Sequence, residues 1–247
     1  MSDLSIVVFA FDEEENIAAV LGELGAWLDA HEPGAEIVLV DDGSRDGTSA
    51  AAAKALAGRS HQLVRHEKNR GIGAALKSGV RVARGRWVTF LPADGQIEPQ
   101  AIGTLRDEQR RTGAAVVFSV YDDRNDGLDR KVFSFGVRAL IFAVHGVRMR
   151  SDGPYLFEKA LFDPDALPPD SFFLNFEFPI RMLAARTKTS RVTIRCRPRR
   201  AGQSKSTQWH RILGVARELV DLRVRRTRER VSRLSRARAR ETLGGRR

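Results

Sequence analysis

Apolar and polar positions along the first 118 residues follow two recurring rhythms. Short apolar runs rich in β-branched residues occupy positions 4–9, 36–40, 62–66, 86–91 and 114–118, and each predicts a strand. Between them, apolar residues recur at helical spacing. Ile17, Val20, Leu21, Leu24 and Leu28 share one face of the first intervening segment. Ile72, Ala75, Leu76, Gly79, Val80 and Ala83 share one face of the third. Strands alternating with helices through short loops predict an α/β fold, a mostly parallel sheet with helices on both faces. Ligands of such sheets bind beyond the carboxyl ends of the strands, so chemistry is expected in the loop after each strand.

Beyond residue 118 the rhythm breaks. Residues 121–131 are polar, 131–145 return to a helical pattern, and an irregular stretch follows with Gly153, Pro154, Pro164, Pro168 and Pro169. A helix is expected near 172–186, a strand at 191–196 and a basic loop at 197–205.

The loops after the first four predicted strands carry the polar signal. They read Phe9-Ala10-Phe11-Asp12-Glu13, then Asp41-Asp42-Gly43-Ser44-Arg45-Asp46-Gly47-Thr48, Asn69-Arg70-Gly71, and Pro92-Ala93-Asp94-Gly95-Gln96. Any one of them alone reads better as a helix cap or an Asp-Gly turn than as a site. Acids at three of four strand ends, all on one rim, point instead to a divalent cation beside a phosphate-bearing, hydroxyl-rich ligand. The run from Gly71 to Leu76 lacks the third glycine of a dinucleotide fingerprint, and no phosphate loop of the Gly-x-x-x-x-Gly-Lys-Ser/Thr type is present.

Composition narrows the classes. At 247 residues, 42% hydrophobic and 30% charged, the chain has the profile of a globular protein with a full core. No apolar run approaches the roughly 18 residues of a membrane span. Asp3 directly before the first strand predicts no signal peptide, and the single Cys196 excludes an internal disulfide and a cysteine-based zinc site. The net charge of +11 is concentrated at one end: residues 207–247 hold 13 arginines against four acids. A nearly neutral domain, residues 1–206, is therefore expected to carry a basic amphipathic helical tail, residues 207–247. Trp209, Ile212, Leu213, Ala216, Leu219 and Val220 fall on one face of that tail. It is expected to meet an anionic membrane surface, with a solvated helix packed against the domain as the equal alternative for residues 207–224. Nucleic acid is not expected, because interleaved aromatics are lacking and the domain is neutral. The location implied is cytoplasmic, with peripheral attachment to a membrane.

Together the strand-end blocks resemble the family-2 inverting glycosyltransferases of the GT-A fold, on the branch of dolichyl-phosphate mannose synthases and related polyprenyl-phosphate glycosyltransferases. Phe9-Ala10-Phe11-Asp12-Glu13 stands where that family has Pro-Ala-Tyr-Asn-Glu. Residues 38–48 and the Asn69-Arg70-Gly71 block match its pattern closely, and Arg200 to Lys205 resembles a late Arg-x-x-Gly-x-Ser-Lys element. The resemblance implies a nucleotide-sugar donor, a lipid-phosphate acceptor and Mg²⁺ or Mn²⁺. It places Ala10, Phe11, Glu13, Asp42 and Gly71 on the donor nucleotide. Asp94 and Gln96 would serve the metal and the donor diphosphate as the catalytic pair. Arg124, Arg130, Arg200, Ser204 and Lys205 would grip the acceptor phosphate or the pyrophosphate, a task suited to arginine forks and lysine point charges.

The chain departs from the family where Pro92 replaces the first acid of an Asp-x-Asp metal motif. That departure keeps open a second reading, a nucleotide-sugar-binding or scaffold protein of weak or no activity. Lys159 is expected to replace an acceptor-side arginine of the family, and Glu177 is a candidate base for a hydroxyl acceptor. The Asp122/Asp123 pair is the other candidate. An anionic lipid phosphate would need none.

Overall fold

The computed structural model describes residues 3–122, 128–168, 170, 173–198 and 216–229. The elements run β1 Leu4–Ala10, α1 Glu14–His31, β2 Glu36–Asp41, α2 Thr48–Ala55, β3 His61–Arg65, α3 Ile72–Val82, β4 Trp87–Pro92, α4 Gln100–Thr112 and β5 Val116–Tyr121. Then follow α5 Leu128–His145, β6 Leu156–Glu158, a 3-10 turn Lys159–Leu161, α6 Leu174–Ala184, β7 Thr189–Ile194 and α7, residues 216–229.

One seven-stranded sheet has the order β3-β2-β1-β4-β6-β5-β7. Every neighbouring pair is parallel except those made by β6, which runs against β4 and β5. The predicted mostly parallel α/β architecture is therefore the observed one. Residues 156–158 fall in the stretch expected to be irregular, because three residues give no periodicity to detect. They form a strand only because Leu156 and Phe157 pair with the starts of β4 and β5.

Period-two alternation divides the core between the two sheet faces. Ile6, Val8, Ile37, Leu39 and Leu91 pack with Ile17, Leu21, Leu24 and Leu28 of α1 on one side. Val7, Val38, Val40, Val88 and Phe90 pack with Leu76 and Val80 of α3 on the other. The helical faces read from the sequence are thus the buried ones. Gly79 in α3 has a steric reason: a Cβ there would lie 2.4 Å from Val7 Cγ1, so only glycine lets the helix sit this close to β1.

α5, α6 and α7 enclose a third apolar cluster of Val137, Ile141, Phe173, Ile180, Leu219 and Leu222. Leu219 points inward, as packing of this segment against the domain requires, whereas Val220 is 53% exposed and Leu222 takes the inward place. Residues 207–215, including Trp209, lie outside the described residues. A charged lattice reinforces the cluster. Glu177 is fully buried and accepts from Arg181 Nε at 2.8 Å and Arg225 Nη2 at 2.7 Å. Arg181 in turn forks onto Glu229 at 2.9 and 3.1 Å. His145 Nε2 lies 3.1 Å from the Leu219 carbonyl, and Arg226 Nη1 lies 3.1 Å from His145 Nδ1. A carbonyl only accepts and a guanidinium only donates, so the ring is neutral with its proton on Nε2.

Burial first, then the Arg226 charge, lowers the His145 pKa from 6.5 to about 4. The unfolded chain therefore binds a proton before the folded one does. Stability is whole above the unfolded value and falls as pH drops toward the folded one, with about 2 kcal/mol lost by pH 5. Urea midpoints at pH 7.5 and 5 are expected to separate for the native chain, and to converge in His145→Gln.

Candidate active site

The strand order reverses at β1, with β2 on one side and β4 on the other, and this is where an open α/β sheet forms its crevice. The rim is continuous there. Asp42 N donates to Ala10 O at 2.9 Å, and Ala93 N donates to Phe9 O at 3.1 Å. Loops following β2, β1 and β4 therefore leave side by side. Asp42 and Asp94 stand two strand spacings apart, on the order of 10 Å.

Cross-links between loops hold this rim. Asp12, at φ +50°, donates its N–H to Ser44 Oγ at 3.0 Å and accepts from Arg45 N at 2.9 Å. Glu13 N donates to Thr48 Oγ1, Glu14 N to an Asp46 carboxylate oxygen, and Gly47 N to a Glu14 carboxylate oxygen. The two acid-rich stretches that look redundant in sequence brace each other as a single surface.

Asp42 is 4% exposed and tightly held. One carboxylate oxygen accepts from His66 Nδ1 at 2.6 Å and Arg70 N at 2.9 Å, and the other accepts from Gly71 N at 2.8 Å. The carboxylate only accepts, so Nδ1 carries the proton, and His66 Nε2 lies 2.9 Å from Ser78 Oγ. Gly71, at φ +90° and ψ 165°, adopts a conformation open essentially to glycine alone. The neighbouring Asp41 would be raised by burial, but hydrogen bonds from Ser44 and Ser49 and the Arg65 charge hold its carboxyl below the usual range.

The Asn69-Arg70-Gly71 turn is gripped from a second side. Asp170 accepts from Lys77 Nζ at 2.8 Å and Arg70 Nη2 at 3.1 Å, and its carbonyl accepts from Ala74 N at 3.1 Å. Burial would raise the Asp170 carboxyl, yet Lys77 and Arg70 hold it down. The sequence reading missed this clasp, although a lysine on the buried face of α3 was a signal that a carboxylate must meet it.

Among the other predicted residues, Ala10 buries its methyl group in the core and presents backbone at the rim. Phe11 is half-buried there, and Glu13 accepts from Asn16 Nδ2 at 2.7 Å. Asp94, 7% exposed, accepts from Gln96 N at 3.1 Å across the Gly95 turn. Gln96 also meets the chain after β7: its carbonyl accepts from Arg197 N at 2.8 Å, and Nε2 donates to Arg197 O at 3.4 Å. Arg124, Arg200, Ser204 and Lys205 lie outside the described residues, as do Asp123 and the side chain of Arg130.

Two acceptor-side expectations are corrected. Lys159 donates to Ala83 O at 2.5 Å, and its N–H to Arg86 O at 2.8 Å, beside the start of β4. Antiparallel β6 carries it to the rim opposite Asp94. Glu177, with both oxygens paired to arginines and no solvent exposure, is a structural anion rather than a base.

Among the described residues, no group of three His, Cys, Asp or Glu could hold a metal ion. One carboxylate at Asp94 and one amide oxygen at Gln96 nonetheless fit a cation that draws its remaining ligands from phosphate and water, as Mg²⁺ does.

A mostly parallel sheet with braced acidic loops at its switch point is the GT-A arrangement of nucleotide-sugar transferases. The chain belongs to glycosyl transferase family 2, whose model matches residues 5–164. It is 31% identical over 154 residues to a dodecaprenyl-phosphate galacturonate synthase of Rhizobium johnstonii, covering 61% of this chain and 46% of that one. It is 28% identical over 179 residues to a dolichyl-phosphate beta-glucosyltransferase of Drosophila melanogaster, covering 64% and 55%. The chain thus spans about half the length of the curated relatives it matches. Its fold is similar to that of glucosyl-3-phosphoglycerate synthase from Mycobacterium tuberculosis, solved with Mn²⁺, UDP and glucosyl-3-phosphoglycerate. That match has a TM-score of 0.66 at 20% identity and covers 90% of this chain and 78% of the other.

Asp42→Asn replaces an acceptor oxygen by a donor facing the Arg70–Gly71 amides. It is expected to cost about 2 kcal/mol in denaturant unfolding. An unchanged midpoint would mean that the clamp contributes nothing.

Proposed function

We propose that this chain transfers a sugar, with inversion, from a nucleotide-sugar donor to a polyprenyl phosphate. The observation that carries the reading is that the loops after β1, β2 and β4, bearing Phe11, Asp42 and the Asp94–Gln96 turn, leave one rim side by side at the switch point, with Asp42 holding the Gly71 turn. Family membership and the activities for which the relatives are named support the chemistry.

In this reading Phe11, Glu13, the Ala10 backbone, Asp42 and Gly71 border the base and ribose. Asp42 acts partly through the turn it holds. Asp94 and Gln96 would hold Mg²⁺ or Mn²⁺, whose bound charge stabilises the departing nucleoside diphosphate. Arg124, Arg130, Arg200, Ser204 and Lys205 orient the acceptor phosphate or the donor pyrophosphate. Arg197, on the chain leading to Arg200, is tied to Gln96 and Glu98, which supports placing that element at the donor diphosphate.

The acceptor phosphate oxygen attacks the anomeric carbon as the bond to the nucleoside diphosphate breaks. That oxygen is already anionic near neutral pH, so catalysis rests on positioning and charge stabilisation. The burial of Glu177 in ion pairs agrees with a mechanism that needs no base on α6.

The proposal keeps residues 1–206 as the transferase domain and 207–247 as its basic appendage, with peripheral attachment to the membrane that holds the acceptor. Among the described residues, no helix is long and apolar enough to cross a membrane.

The test is release of nucleoside diphosphate from a panel of UDP-, GDP- and dTDP-sugars with Mn²⁺ and polyprenyl phosphate. Release should depend on the lipid phosphate, and Asp94→Asn should lower it about a hundredfold. Absence of turnover across the panel would overturn the proposal. Pro92→Asp, which restores a second carboxylate, is expected to tighten Mn²⁺ binding measured by calorimetry without donor.

A further inference from the structure

α5 has a wet apolar face. Val137, Ile141 and His145 turn inward, while Phe135, Arg138, Ala139, Phe142 and Ala143 are exposed on the opposite side of the helix. Phe135 is 73% exposed and Phe142 50%. α7 repeats the arrangement: Leu219 and Leu222 turn inward, and Val220 and Val224 turn outward at 53% and 43% exposure. Of the five large apolar side chains exposed among the described residues, these two helices carry four; Leu63 is the other. Isolated exposed apolar residues need no explanation, but two phenylalanines one heptad apart on a single face mark a contact surface.

The surrounding charge says what covers it. The Arg148 guanidinium lies over the Phe142 ring at 5.6 Å, and Arg150 is exposed just beyond. Arg138 lies between the two rings in sequence and pairs with Asp152 at 2.6 Å. On α7, Arg217, Arg223 and Arg228 are exposed alongside Val220 and Val224, with Asp221 the exposed acid among them. A second copy seated on the α5 face would bring the same arginines against these. Residues 230–247, with seven arginines and one acid, would meet the same repulsion. Aromatic rings ringed by arginines match a layer that is apolar inside and anionic at its surface.

We propose that the outer face of α5, centred on Phe135 and Phe142, seats on an anionic phospholipid bilayer, with the outer arginines of α7 adding attraction. The rings enter the acyl boundary, and Arg148 remains at headgroup level. This deepens the polyprenyl-phosphate reading, on which it rests for the presence of a bilayer. It assigns the contact to a folded helix rather than to the tail alone.

The full chain is tested by co-sedimentation with vesicles lacking polyprenyl phosphate. One set is phosphatidylcholine alone, and the other is three parts phosphatidylcholine to one part phosphatidylglycerol. Binding is expected only with the anionic set and is expected to weaken with salt. Phe135→Ser with Phe142→Ser should reduce partitioning about tenfold. In Phe142→Trp, the added indole fluorescence should shift to the blue on vesicles and be quenched by brominated lipid. Partitioning of the double variant equal to that of the native chain, or an added indole signal indifferent to lipid, would overturn the assignment. So would a native dimer that the double variant splits, which would mean a second copy covers the face. A fall in the double variant's melting temperature without vesicles would mean that the chain's own tail does. Nucleoside-diphosphate binding, followed separately by thermal shift, should be unaffected by the double substitution. If the native chain binds vesicles but no nucleotide, the transferase reading fails and the lipid face stands.

Discussion

The Asp42 carboxylate is the constraint on which the candidate site depends. It sits at the end of a central strand, excluded from water, and accepts from two consecutive backbone amides and an imidazole. A buried carboxylate is stable only when its lone pairs are met, and these amides come from a turn that only glycine can complete. Neither part stands alone: without the turn the buried carboxylate keeps only the His66 imidazole, and without the carboxylate the amides lose their acceptor. Asp170 closes the same turn from outside through Lys77 and Arg70. The floor of the crevice is therefore fixed before any ligand arrives, which is the preorganisation that catalysis by positioning requires.

Legibility in the sequence followed the range of the interactions. Strands β1 to β4 and helices α1 and α3 were readable because period-two and helical apolar patterns are local. The rim loops were readable because Asp, Gly and Ser at strand ends are themselves turn chemistry. What could not be read was pairing at a distance. The Lys77–Asp170 contact joins residues 93 apart, and the arginines that bury Glu177 come from positions 181 and 225. Lys159 was misplaced because its position depends on the direction of β6, and a three-residue strand carries no sign of direction in its own composition.

The basic end of the chain is two things in one stretch. Part of it, α7, is bound into the domain by Leu219, Leu222 and the Glu177–Arg225 and Arg181–Glu229 pairs. Arginine there serves packing and charge neutralisation inside the fold as well as display on its surface. Counting charge along the sequence cannot separate those uses, since the same residue type alternates between inward and outward positions within a single helical turn.

β6 carries one more implication. Among the described strands it alone is reversed, wedged between β4 and β5, and the family match ends six residues after it, at position 164. On one side lie the parallel strands that bear the braced rim, and on the other lies the β5–β7 pair, while the chain after β6 runs along α3, from Arg81 at Asp165 to Arg70 at Asp170. A strand running parallel there would release the chain at the Asp94 rim; the reversed one sends it back along α3, and so Asp170 comes to close a turn a hundred residues earlier in the chain.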